Sequence, residues 1–207
     1  MNPEQSTTRN PSFSPPITIT ILEESADQLD AYGRVSIAFR VESRLRVDLV
    51  GGGLGGIQLV VEKVDPAYVK DYDLISGEGP GNWAERWDIS RWGILAAFSG
   101  AERVGGAAVA WDTPGVDMLE GRRDLAVLWD IRVAPEFRGR GVGRRLFAAG
   151  VQWARAKGCR TLKVETQNIN VPACRFYARH GCALGAITRW AYPDLPDEVQ
   201  LMWYLDL

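Results

Sequence analysis

The stretch VAPEFRGRGVGRRLF, residues 133–147, sets Arg138, Arg140, Arg144 and Arg145 among Gly139, Gly141 and Gly143. At a helix start the first N–H groups have no partner within the helix and the helix dipole adds partial positive charge, so such a corner binds anions. Glycine lets an anion approach the backbone closely, and arginine adds fixed charge. The chemistry predicted is the holding of a small anion such as a diphosphate. A dinucleotide fingerprint fits poorly, because it needs G-x-G-x-x-G early in the chain and an acidic ribose ligand after the next strand. A Walker A loop is excluded by the lack of a closing Gly-Lys-Ser or Gly-Lys-Thr. The other glycine run, GGGLGG at 51–56, is followed by the β-like IQLVVEKV and reads as a hairpin loop.

The elements around the corner follow from periodicity. LAVLWDIRVAP alternates, with Leu125, Val127, Trp129, Ile131 and Val133 on one face and Asp130 and Arg132 on the other. Leu146, Phe147, Gly150, Val151 and Ala154 then recur at helical spacing up to Gly158. RTLKVETQ resumes the strand rhythm, so 125–166 predicts a strand, helix, strand unit with parallel strands and a right-handed connection. Asn170 as N-cap and Pro172 in the first turn announce a second helix ending at Gly181. CALGAITRW and EVQLMWYLDL are two further strands. Upstream, ITITIL and RVSIAFRVESRLRVDLV read as strands, DPAYVKDYD as a loop leading to a short helix, and WGILAAFSG with RVGGAAVAW as a hairpin. Residues 112–124 read as a surface loop. Trp83 and Trp87, four apart, share a helical face, the spacing core packing also gives.

Composition bounds what this unit serves. With 207 residues, 46% hydrophobic and 24% charged, the chain has the make-up of a globular protein, and its length favours one domain over 17–207. Its net charge of −2 excludes a broad basic face for nucleic acid. Residues 1–16 are polar and read as a flexible tail rather than a signal peptide, and no apolar run reaches the roughly 18 residues a membrane span needs. A cytoplasmic protein with no membrane partner is expected. One histidine and three cysteines without C-x-x-C spacing predict no metal site and no Cys-His hydrolase. His180, before Gly181, complements a helix C-terminus.

The run R-G-R-G-V-G at 138–143, preceded by LWDIRVAP and followed by an amphipathic helix, resembles the acetyl-CoA pyrophosphate loop of the GNAT superfamily of N-acetyltransferases, Gln/Arg-x-x-Gly-x-Gly/Ala. NVPACRFYARHG at 170–181 matches the Asn, Ala and Phe-Tyr elements that follow the next strand in that superfamily. VETQNINVPACRFYARHGCALG, with KDYD near residue 70, is similar to the streptothricin acetyltransferase branch. The resemblance covers roughly residues 70–207. Cys182 stands where that branch commonly has phenylalanine, and the 112–124 loop is longer than usual.

The resemblance implies an α/β fold with a mixed, centrally splayed β-sheet flanked by helices, here with a β-rich N-terminal segment and a cofactor-binding core about 125–181. It implies acetyl-CoA as co-substrate, with the backbone of Ile131, Arg132 and Val133 along the pantetheine arm. Arg138, Gly139, Arg140, Gly141, Val142, Gly143 and Arg144 would cradle the pyrophosphate through N–H groups, with Asn170 and Tyr177 completing the cofactor set. Tyr177 is the implied acid for the departing thiolate. Glu165, with Asp130 second, is the candidate base through a water, or else an attractor of a cationic amine. Trp83, Trp87 and Asp88 lie where the acceptor site is shaped, near Asp71, Asp73 and Glu85. The expected reaction is direct acetyl transfer to a primary amine of a small molecule such as a streptothricin-type antibiotic, by a monomer or homodimer. A protein or peptide amine, or a non-catalytic acyl-CoA sensor, are the alternatives.

Overall fold

The computed structural model describes residues 18–207; the tail expected over residues 1–16 lies outside them. Nine strands and four α-helices follow in the order β1 (Ile19–Glu24), α1 (Leu29–Gly33), β2 (Phe39–Leu49), β3 (Ile57–Lys70), α2 (Trp83–Arg86), β4 (Gly93–Ser99), β5 (Glu102–Trp111), β6 (Leu125–Val133), α3 (Val142–Ala156), β7 (Thr161–Gln167), α4 (Val171–Arg179), β8 (Ala183–Thr188) and β9 (Gln200–Asp206). Seven strands form one sheet in the order β1-β4-β5-β6-β7-β9-β8, while β2 and β3 form a separate two-stranded ribbon. All neighbours in the large sheet are antiparallel except β6 and β7, the parallel pair expected from the strand, helix, strand unit.

That parallel pairing runs only from Leu125↔Thr161 to Leu128↔Val164. Beyond it, β6 continues to Val133 beside β5, and β7 continues to Gln167 beside β9. The sheet is therefore splayed at its centre.

Two apolar clusters lie against the sheet. α3 and α4 cover one, in which Val142, Leu146, Phe147, Val151 and Ala154 pack with Leu128, Leu162 and Val164. Truncating a fully buried leucine such as Leu146 to alanine costs about 2–5 kcal/mol in such a core. The other holds Leu29 and Tyr32 of α1, Trp83 of α2, Trp92 and Val127. α4 starts as expected: Asn170 Oδ1 accepts from the Ala173 N–H at 3.2 Å, with proline in the first turn.

Several expectations are corrected. The strand read into residues 34–50 spans only Phe39–Leu49, because α1 and the turn after it occupy the preceding residues. Residues 65–70 belong to β3 rather than to a loop, since they pair with the start of β2 through Tyr68↔Val41 and Lys70↔Phe39. The 112–124 segment turns inward at Val116 and Leu119, both buried in the α1 and α2 cluster. α2 is a single turn that ends before Trp87, whose backbone is extended, so Trp83 and Trp87 do not share a helical face.

The alternation read into β6 also breaks. Ala108 faces Asp130 and the next residue, Val109, faces Leu128, which leaves Trp129 as the extra residue of a β-bulge. Trp129 packs on Trp87 and Trp92, and Asp130 bonds Tyr32, so both look toward the α1 and α2 side. After the bulge it is Ile131 and Val133 that pack against the cluster under α3.

Candidate active site

The corner before α3 is built from backbone. Gly139 and Gly141 sit at φ +75° and +83°, in the left-handed region that side chains other than glycine rarely adopt. Gly143 has no such need, since an added Cβ would meet Val133 and Phe176 at ordinary distances of 3.7 and 3.8 Å. Within the described residues, none of the six N–H groups from Gly139 to Arg144 donates a hydrogen bond. Such a row of unpartnered donors at the start of a fifteen-residue helix is chemically fitted to diphosphate oxygens. Arg138 differs from the expected set. Its N–H donates to the Pro135 carbonyl at 3.2 Å, while its guanidinium bonds the Val133 and Ser36 carbonyls at 2.9 and 3.2 Å. Arg138 thus braces the corner, whereas Arg140, Arg144 and Arg145 are exposed and form no ion pair among the described residues.

The gap between β6 and β7 opens beside this corner. Ile131, Arg132 and Val133 present backbone along one wall, with β5 on their far edge and no strand in the gap. Tyr177 of α4 packs against Phe147 and Phe176 at ring distances of 5.9 and 5.3 Å. It is 4% exposed, and its hydroxyl makes no hydrogen bond among the described residues. Burial, assisted by the nearby Asp130 charge, pushes its pKa well above the ordinary tyrosine value. The hydroxyl stays protonated and unclaimed.

On the α1 and α2 side stand the carboxylates. Glu165 of β7 accepts from the Tyr192 hydroxyl, from Gln167 at 3.2 Å and from Gln200 at 2.8 Å. Glu198, just ahead of β9, accepts from Lys70 and Tyr72, each at 2.6 Å. Desolvation, then the bond to its carboxylate, holds the Tyr72 hydroxyl protonated, and burial and Glu165 do the same for Tyr192. Asp130 is claimed on both oxygens: Arg132 bonds it at 2.9 and 2.7 Å, and the Tyr32 hydroxyl at 2.5 Å.

The aromatic candidates separate. Trp83 is 3% exposed, its indole N–H given to the Glu78 carbonyl at 3.2 Å, and it packs on Tyr32 and Trp92 as a core residue. Trp87 and Trp129 instead meet at 4.9 Å and line a cavity of about 410 Å³ with Arg86, Val116, Asp117 and Met118. Asp88 is exposed and caps a turn by accepting from the Ser90 N–H at 3.0 Å, and Ser90's side chain and this N–H lower its pKa. Asn170 spends its side-chain oxygen on the start of α4.

Tyr32, Tyr72, Tyr192 and Glu198 are members of the candidate site that sequence reasoning missed. Two carried a signal: Tyr72 lies in the KDYD run at 70–73, and Gly106 in β5 leaves room for the Tyr32 ring, which an added Cβ would meet at 2.4 Å. Among the described residues no group of three or more His, Cys, Asp or Glu could hold a metal ion, and no helix is long and apolar enough to cross a membrane.

Comparison with known proteins gives a consistent result. Residues 63–182 match the acetyltransferase (GNAT) family. Streptothricin acetyltransferase A of Bacillus subtilis (strain 168) is 38% identical over 81 residues, 38% of this chain and 47% of that protein, so the match spans about half the relative's length. The streptothricin acetyltransferase of Streptomyces lavendulae is 27% identical over 170 residues, 82% of this chain and 84% of that protein. A crystal structure from Bacillus anthracis str. Ames, of a provisionally assigned streptothricin acetyltransferase in complex with acetyl coenzyme A, is 28% identical with a TM-score of 0.70, covering 92% of this chain and all of that one.

Proposed function

The chain belongs to the acetyltransferase (GNAT) family, and from that premise we propose that it transfers the acetyl group of acetyl-CoA directly to a primary amine on a small molecule, a streptothricin-type antibiotic being the first acceptor to test. The observation that carries this reading is the gap between β6 and β7. It opens beside six unpartnered N–H groups at one end and faces the half-buried Glu165 and buried Glu198 on the α1 and α2 side. The relatives' printed names support the acceptor class. A cationic amine suits Glu165, which accepts only from neutral groups.

The residues divide the work. The N–H groups of Gly139–Arg144 would hold the diphosphate, and the free edge of β6 over Ile131–Val133 would pair with the amide-bearing arm. Bound there, acetyl-CoA supplies an activated acetyl thioester. Glu165 receives the proton that the acceptor's ammonium must lose before its nitrogen can form the new bond to the acetyl carbon. Tyr177, protonated and without another partner, donates its proton to the sulfur as the carbon–sulfur bond breaks, and the second proton that the nitrogen sheds on becoming an amide restores the phenol. Asp130, ion-paired with the Arg132 guanidinium where Glu165 accepts only from neutral groups, positions its neighbours and is not the base in this scheme.

The test is free-thiol release from acetyl-CoA by the purified protein, with streptothricin, spermidine, a lysine-containing peptide and no acceptor in parallel. Turnover with streptothricin above the others is the expected result. Turnover with the peptide alone would move the acceptor to a protein amine. Acetyl-CoA binding with no turnover on any probe would overturn the small-amine reading and favour a sensor.

A further inference from the structure

Arg132 was expected to serve only through its backbone, yet its side chain is the most connected group in the described structure. It is 2% exposed, and all five of its N–H donors are used. Nε and Nη2 bond Asp130 at 2.9 and 2.7 Å, Nη1 and Nη2 bond Asp73 at 2.8 and 3.2 Å, and Nη1 also reaches the Val35 carbonyl at 3.1 Å. The Tyr32 ring lies 5.0 Å from its guanidinium carbon, and Tyr32 bonds the same Asp130. One guanidinium therefore ties α1, the link from α1 to β2, and the segment after β3 to the cofactor strand.

The segment after β3 is also held at a second point. Lys70 and Tyr72 both donate to Glu198, which sits beside the end of β7, where Asn168 and Val199 exchange hydrogen bonds. Residues 70–73 thus run from β6 on one side of the splayed gap to the β7 and β9 edge on the other. We infer that Lys70–Asp73 is a strap laid across the acceptor side of the gap, and that Arg132 is the positioning residue that fastens it through Asp73. Asp73 is the replaceable half of this fastening. Without it Arg132 keeps Asp130, so no buried charge is left unpaired and the fold is retained.

The inference rests on the acetyltransferase reading for its kinetic arm only. Hydrogen exchange, followed by mass spectrometry, reads the strap without turnover, because the N–H groups of Asp73, Ile75 and Glu78 are bonded within this segment. In Asp73→Ala, exchange over residues 71–79 should quicken about tenfold, as expected when hydrogen bonds to a charged group are lost. Acetyl-CoA affinity, measured by titration calorimetry, should stay within about twofold. With streptothricin as probe, the acceptor KM should rise about tenfold while kcat changes less. Arg132→Lys, which keeps the charge but cannot fill five donor positions, should move both readouts the same way.

Unchanged exchange in Asp73→Ala overturns the strap, as does a loss of acetyl-CoA affinity with the acceptor KM intact. If the wild-type protein turns over no probe, the acetyltransferase reading fails on its own, and quickened or unchanged exchange still decides the strap.

Discussion

The proposed cofactor corner and the proposed acceptor face are built on opposite plans. The corner is one contiguous run, Ile131–Arg144, and offers mostly main-chain N–H groups; one of its arginines, Arg138, is spent on bracing carbonyls. The acceptor face is made of side chains brought from α1, the strap after β3, the bulge of β6, the end of β7 and the segment before β9. A backbone site is specified by chain geometry and tolerates many side chains, whereas a site assembled from distant side chains changes with each of them. The difference suits a constant co-substrate on one side and a variable acceptor on the other.

Gly141→Glu tests the corner most severely. It places a side chain at φ +83° and a carboxylate among the unpartnered N–H groups, so acetyl-CoA affinity should fall at least about 100-fold by titration calorimetry, with exchange over residues 71–79 unchanged. Normal binding would sink the assignment of the corner. Tyr177→Phe removes a hydroxyl that has no hydrogen-bond partner, so the fold and acetyl-CoA binding should be kept while kcat drops about 100-fold. A wild-type kcat would put the acid elsewhere. Glu165→Gln is the mildest: it keeps the side chain's shape beside Tyr192 and loses the base, for a fall of about tenfold in kcat/KM near neutral pH. The deficit should shrink as pH rises, because solvent then supplies the neutral amine that Glu165 would otherwise generate. A deficit independent of pH would make Glu165 a binding carboxylate.

The same contrast explains what could be read from the sequence. R-G-R-G-V-G, the parallel strand, helix, strand unit and the Asn170 cap are local, so spacing alone located them. The acceptor side depends on long-range contacts: nothing near Tyr72 or Tyr192 in the chain announces Glu198 or Glu165. Trp83 and Trp87 looked alike as letters, yet the single turn of α2 sends one into the core and leaves the other at a cavity. The simple alternation put Asp130 and Arg132 opposite Trp129, because an inserted residue leaves no mark on the pattern of polar and apolar letters.

That insertion makes β6 a phase shifter. Up to Leu128 the strand keeps one alternation, and after Trp129 it keeps the reverse, so a single strand supplies apolar side chains beneath α3 and an ionic fastening on the other face. A one-residue deletion at this point would leave the β propensity intact yet turn Asp130 and Arg132 together toward Val142 and Leu146, away from Asp73 and Tyr32. Charges are costly to take out of water unless their hydrogen bonds are all met, and that face offers this pair only apolar side chains. Relatives aligned through this strand are therefore comparable beyond residue 129 only if they carry the same extra residue, whatever their overall identity.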